Sequence, residues 1–179
     1  EALGYQTEMI ARSQVKVKSM MISVVVAELR NQYFAKVIDS IERKAKEYGY
    51  MLTISLHEDD RDYEKKIIHE LAGYRIDGFI LLCINKGEDI EEALRKTNIP
   101  YVILGYKTFM NSSTVGADEY KIGCMATQYM YQKNYNEMVF VVPPLYDRYQ
   151  TLSPGHASRK KGFEETAESL NVKHTVIYG

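Results

Sequence analysis

The sequence has 179 residues, of which 45% are hydrophobic and 26% charged, and its 23 Lys+Arg against 24 Asp+Glu leave a formal net charge of −1. That balance excludes collagen-like, mucin-like and charge-driven disordered classes, and it disfavours a body coated in nucleic acid. Two cysteines, Cys83 and Cys124, are too few for a disulfide framework, and no apolar run reaches the roughly 18–20 residues of a membrane span. The opening stretch Glu1–Ser19 is polar and lacks a signal-peptide core. A reducing, cytoplasmic setting with no membrane partner is the expectation.

In chain order, short apolar strands alternate with amphipathic helical segments. Met20–Ala27 is β-branched and nearly all apolar, which suits a central strand covered on both faces. From Tyr33 to Tyr48, the apolar positions Phe34, Val37, Ile38, Ile41 and Ala45 form one helical stripe, with Gly49 as a C-terminal stop. Tyr50–Leu56 is a second strand, and Asp62–Ala72 a second helix closed by Gly73. Gly78–Ile84 is a third strand, Asp89–Lys96 a short helix, and Tyr101–Leu104 a fourth strand entered through Pro100.

After a polar stretch, Asp118 caps a helix carrying Ile122, Met125, Ala126, Tyr129 and Met130. Met138–Val142 is the next strand, Ser158–Leu170 a last helix, and Thr175–Tyr178 a last strand. Such repetition predicts an α/β fold, a parallel sheet with helices on both faces and right-handed crossovers. The first 19 residues fall outside this pattern and the chain stops directly after a strand, so the expectation is a piece of a longer polypeptide.

In an open parallel sheet, ligands bind beyond the carboxyl ends of the strands. The first such turn reads Glu28-Leu29-Arg30-Asn31-Gln32. It has no glycine, which argues against a dinucleotide or P-loop cofactor, because backbone must approach a pyrophosphate closely. Phe34 fits the core stripe, yet an aromatic at a cleft edge can also stack on a sugar or base ring. Tyr33 falls off the stripe and suits the ligand reading better. The run His57 to Asp62 looks like a metal cluster, but consecutive loop residues rarely converge on one ion, and Asp60 or Asp62 more simply caps the next helix. Cys83 and Cys124 read as small buried hydrophobes.

No nucleophile–base arrangement stands out; Asp147, Ser153 and His156 share a loop, which is poor evidence for a triad. No cofactor, metal or enzymatic activity is expected. Arg159 opens the basic run Arg159-Lys160-Lys161 at the expected start of a helix, where positive charge opposes the macrodipole. Either it forks onto a ligand, or it belongs to a solvated basic turn. In the opening segment, Arg12, Lys16 and Lys18 follow Glu8 with no further acid, which fits either a segment that folds on nucleic acid or a solvated linker.

The run Ala2-Leu3-Gly4-Tyr5-Gln6-Thr7-Glu8-Met9-Ile10-Ala11-Arg12-Ser13-Gln14 resembles the end of the DNA-binding headpiece of the LacI/GalR family of bacterial transcriptional repressors. Asn31-x-Tyr33-Phe34, Glu47-Tyr48-Gly49-Tyr50, Arg75-Ile76-Asp77-Gly78-Phe79-Ile80, Asn98-Ile99-Pro100-Tyr101-Val102, Val115-Gly116-Ala117-Asp118 and Arg159-Lys160-Lys161-Gly162-Phe163 follow in the family's order. The resemblance implies a periplasmic-binding-protein-like architecture of two lobes around a cleft, only partly present here. On that map, residues 1–18 end the headpiece and form a hinge, 19–133 are most of the first lobe, and 134–179 start the second. It further implies a homodimeric, ligand-responsive repressor whose small effector, a sugar rather than a purine, is lined by Tyr33, Phe34, Asp118 and Arg159. Operator DNA would be met through the absent headpiece and through hinge residues Ala11, Arg12, Gln14, Lys16 and Lys18.

The sequence departs from the family pattern at four places. Gln14 replaces a leucine that wedges into the minor groove, and Thr7-Glu8 replaces Pro-Asn at the start of the hinge helix. Gly105-Tyr106 stands for Asp-Arg after the fourth strand, and Asn134-Tyr135 for Gly-His. Two rivals remain at this level: a transport-type sugar-binding protein of the same fold, and a small-molecule enzyme on a doubly wound sheet.

Overall fold

A computed structural model describes residues 18–82, 87–105, 112–143, 145 and 152–179. The chain divides into two compact units, residues 1–115 and 116–179. Residues 119–132, within the span mapped to the first lobe, form a helix that packs on the helix of residues 154–169.

The first unit is a five-stranded sheet in the order β2-β1-β3-β4-β5, formed by β1 (Met21–Val26), β2 (Met51–Leu56), β3 (Gly78–Leu82), β4 (Tyr101–Leu104) and β5 (Ser113–Val115). All four pairings are parallel; Val24 lies beside Ile54 and Ile80. Three helices, α1 (Gln32–Glu47), α2 (Arg61–Gly73) and α3 (Glu88–Thr97), cover it. Alternation along β1 decides which residue meets which layer. Val24 and Val26 join Ile38 of α1, with Phe34, Val37 and Ile41 packed around them. Val25 faces the other way, into Ile67 and Ile68 of α2 and Ile90 and Leu94 of α3. The three valines are fully buried, which explains why this strand reads as an apolar run broken only at Ser23.

Local chemistry sets the helix ends. Asn31 caps α1 by accepting the Tyr33 N–H at 2.9 Å, and Asp60 caps α2 by accepting that of Tyr63 at 2.9 Å. Gly49, at φ +75°, follows α1 as expected. Gly73 is the last residue of α2 and not the stop after it; Tyr74 caps the helix, and Arg75 takes the left-handed turn at φ +55°. The three-residue β5, polar and short, was not foreseen; it pairs with β4, and the Gly105 N–H donates to the Val115 carbonyl at 2.8 Å.

The second unit holds α4 (Glu119–Gln132), β6 (Glu137–Val142), α5 (Pro154–Ser169) and β7 (Lys173–Tyr178), with β6 and β7 parallel. Its core is Met138, Phe163, Ala167 and Val172; Phe140 stacks on Phe163 at 5.0 Å between centroids. Asn134, at φ +65°, takes the left-handed position after α4 where a glycine is usual, a role asparagine tolerates. Helix α5 begins at Pro154 after Ser153, four residues earlier than Ser158, because a proline in the first turn is pre-set for helix entry.

Candidate functional site

On the first unit, Asn31 orients the chain as it leaves β1 for α1. Its cap leaves Tyr33 64% exposed, with its ring 5.6 Å from that of Phe34 in an edge contact. Phe34 is half-buried and packs against the core cluster of α1. Phe34 thus packs on the core stripe and meets the Tyr33 ring at its edge, while Tyr33 presents its ring to solvent beside the turn after β1. In that turn, Arg30 donates to Glu28 at 2.8 Å, so its charge is matched locally.

The turn after β2 was the metal look-alike. His57 is fully buried, with its backbone N–H donated to the Val26 carbonyl at 3.1 Å, and Asp60 is spent as a helix cap. No group of three or more His, Cys, Asp or Glu side chains is placed to hold a metal ion among the described residues. Beside it, an ionic cluster joins the starts of α2 and α3. Arg61 donates to Asp89 from Nε at 3.1 Å and from Nη2 at 2.7 Å, while Lys65 reaches Asp62 at 2.8 Å and Asp89 at 3.0 Å. Burial pushes the Asp89 carboxyl up, but hydrogen bonds from Lys65 and Arg61 outweigh it and hold the group below its usual range. Nothing in the residue spacing announces this cluster.

On the second unit, Asp118 accepts the Lys121 N–H at 3.0 Å and so caps α4, as its position implied. Arg159 lies in the second turn of α5, so the expected conflict with the helix dipole in the first turn does not arise. Its guanidinium is instead held by Glu119: Nε donates to Oε2 at 2.7 Å and Nη2 bonds the same oxygen. The structure thus brings Asp118, Glu119 and Arg159 to the adjoining ends of α4 and α5. Glu119 was missed because a pairing across 40 residues leaves no local trace.

These ends are set by an unusually close helix crossing. A Cβ on Gly123 would fall well inside 3.0 Å of the Arg159 carbonyl, and one on Gly162 equally close to the Tyr120 carbonyl. A glycine in a helix interior costs about 1 kcal/mol against alanine, so two of them facing each other are a legible packing signal. Thr127 and Thr166, both buried, continue the crossing. Tyr120 donates to Glu165 at 2.7 Å, and this bond, with a further one to Cys124, pushes the phenol up to about 12. Cys124 is half-buried with a free thiol, while Cys83 lies outside the described residues.

Of the expected DNA-contacting residues, Ala11, Arg12, Gln14 and Lys16 lie outside the described residues. Lys18 is exposed, with Nζ 3.5 Å from the Tyr50 hydroxyl. Just after it, the Asp77 carboxylate accepts the Ser19 N–H at 3.0 Å, the Ser19 hydroxyl at 3.1 Å and the Met20 N–H at 3.0 Å. Asp77 therefore pins the point where the opening segment joins β1, a role that its place in the motif did not disclose. No helix among the described residues is long and apolar enough to cross a membrane.

A parallel sheet clothed by helices, followed by a second strand–helix unit, is an open α/β architecture of the kind that binds ligands beyond the carboxyl ends of its strands. Residues 19–177 match the family described as periplasmic binding proteins and sugar binding domain of LacI family, and the chain belongs to that family. Catabolite control protein A of Priestia megaterium is 25% identical over 180 residues, covering 99% of this chain and 53% of that protein. The ribose operon repressor of Escherichia coli K12 is 25% identical over 145 residues, covering 80% of this chain and 44% of that protein. The chain thus spans about half the length of these relatives. Among solved structures, a periplasmic binding protein/LacI transcriptional regulator from Alkaliphilus metalliredigens complexed with D-xylulofuranose overlays with a TM-score of 0.76 at 24% identity, over 89% of this chain and 56% of that one. The Cra regulator of Pseudomonas putida in complex with fructose 1-phosphate gives 0.75 at 17% identity, over 89% and 58%.

Proposed function

We propose that this chain is the effector-sensing part of a ligand-responsive transcriptional regulator, a repressor that works as a homodimer in the cytoplasm. Its effector is a sugar or a closely related metabolite. The observation that carries this reading is the family match over residues 19–177, whose relatives by name include a ribose operon repressor and a catabolite control protein. Their names describe regulators, in keeping with a binding protein in place of an enzyme. Two solved neighbours hold a ketose or a ketose phosphate, which supports the sugar class.

Tyr33, Phe34, Asp118 and Arg159 are the residues we assign to the effector. An exposed aromatic suits the apolar face of a sugar ring, and a guanidinium with donors to spare suits its hydroxyls. Ala11, Arg12, Gln14, Lys16 and Lys18 are assigned to operator DNA, and the cations among them give a salt-dependent affinity. The switch needs only that the effector favour one of two states that differ in operator affinity.

In the intact protein, Arg159→Ala lowers effector affinity by roughly tenfold or more, the scale of a lost charge-assisted hydrogen bond, and leaves operator binding without effector intact. Calorimetric titration with a sugar that raises the melting temperature, beside operator gel shifts, checks both halves. The family description also covers transport-type binding proteins of this fold. Sugar binding with no operator affinity in any effector state would favour that reading.

A further inference from the structure

We infer that Glu119 selects the charge class of the effector, so that Arg159 serves a neutral polyhydroxy ligand and turns away its phosphorylated form. The inference deepens the proposed function, since it rests on Arg159 being an effector residue. The guanidinium is not a bare cation: Nε and Nη2 both bond Oε2 of Glu119, whose side chain is only 19% exposed. Lys160 and Lys161, which follow it in the basic run, are matched in the same way by Glu164 at 2.6 Å and Glu165 at 3.7 Å. Asp118 adds a further carboxylate next to Glu119, offset in sequence by Lys121. Among the described residues, no surplus positive charge is left at this end of the helix pair for a phosphate dianion.

A phosphate meeting Arg159 has two routes, and both are unfavourable. It can displace Glu119, which strands a mostly buried carboxylate without its partner. Or it can sit beside Glu119 and meet a like charge at hydrogen-bonding distance. A neutral sugar meets neither penalty. Arginine has five N–H donors, of which Glu119 takes two, and the second carboxylate oxygen, Oε1, is not engaged by Arg159. The pair therefore presents donors and an acceptor side by side, the complement of two adjacent hydroxyls, one accepting and one donating. The glycine crossing holds this pairing in place, because the Arg159 carbonyl abuts Gly123, one turn along α4 from Glu119. Glu119 is a specificity-determining residue, set by the charge it brings.

The test titrates the intact protein with D-ribose, D-fructose and D-xylulose, and in parallel with ribose 5-phosphate, fructose 1-phosphate and inorganic phosphate, by thermal shift and calorimetry. The expected result is stabilisation of the wild type by at least one neutral sugar and a weaker response to its phosphate ester. Glu119→Gln keeps the shape and removes the charge, and it shifts the neutral-to-phosphorylated affinity ratio by roughly tenfold toward the ester. Glu119→Asp, which keeps the charge, retains the wild-type order and serves if the glutamine variant folds poorly. A wild type that prefers the ester, or a ratio unchanged in Glu119→Gln, overturns the inference. Arg159→Ala separates the two levels of argument. If it weakens every sugar while Glu119→Gln leaves the ratio alone, only the charge selection fails; if it changes no affinity, or no probe binds the wild type, the effector assignment fails with it.

Discussion

The two units are held together by different means, although both are strand–helix repeats. In the first, β1 runs between two parallel neighbours, and Val24, Val25 and Val26 send side chains into helices on both faces. In the second, β6 alternates: Met138 and Val142 are buried, while Val139 and Val141 are 57% and 66% exposed. What binds α4 to α5 is the near contact of their backbones at Gly123 and Gly162. The first unit is organised by apolar volume on both sheet faces, and the second joins a smaller apolar core to a helix pair packed backbone to backbone. Each arrangement suits the residues it carries. Tyr33 stands on a capped helix whose stripe is anchored in a deep core, whereas Glu119 and Arg159 are aligned by backbone within a turn of the crossing.

The sharpest way to break this contrast is to add one carbon to the crossing. Gly162→Ala puts a methyl inside the space of the Tyr120 carbonyl, and backbone cannot swing aside as the end of a long side chain can. The expected loss is about 1–3 kcal/mol, the range for overpacking a close-fitted contact, and denaturant unfolding measures it. Because the Arg159–Glu119 pair rides on the same helices, sugar binding should weaken alongside stability. A neutral result would show that α4 and α5 have room to spare. Gly73→Ala is the matching control in the first unit. That glycine is helical and a Cβ there meets nothing within 4 Å, so alanine removes unfolded-state freedom and stabilises by about 0.4–1 kcal/mol. Opposite signs for two helical glycines in one chain would be the signature of the difference.

How far the sequence revealed all this follows the same division. Apart from the short β5, the strands and helices of the first unit are legible from periodicity, since a residue buried by its own stripe or alternation announces itself. Phe34, Val37, Ile38 and Ile41 read correctly for that reason. The caps Asn31, Asp60 and Asp118 are local chemistry; Asp118 was read in advance, Asp60 as one of two candidates with Asp62, and Asn31 carries the same signal. The start of α5 was misplaced because Pro154 was read as loop, although proline is at home in a first helical turn. The packing of α4 on α5 was not read, because that contact joins segments well separated along the chain. Pairings such as Glu119 with Arg159, or Asp77 with the Ser19 and Met20 amides, join residues 40 or more apart that no short-range pattern links. Val139 and Val141 mislead in the opposite sense: β-branched residues in a strand suggest cover on both faces, and here they are exposed.

The smallest effect expected concerns the surface cluster that ties α2 to α3, and it tests whether charge rivals apolar volume in the first unit. Asp89 is held below its ordinary 3.8 by Lys65 and Arg61 against the opposing pull of burial, so its stabilising contribution is present above that value and is lost as pH falls through the lowered one. Lys65 moves the other way: hydrogen bonds to Asp62 and then to Asp89 raise it above 10.5, so its share is present below 10.5 and is lost as pH rises past the raised value. The gap in melting temperature between wild type and Asp89→Asn should therefore be widest between those limits and narrow beyond either. It should also stay small, because Asp89 and Lys65 are 40% and 34% exposed and water screens the pair. A gap as large as that of Gly162→Ala would mean that the ion cluster, as much as the valine-centred core, holds the first unit together.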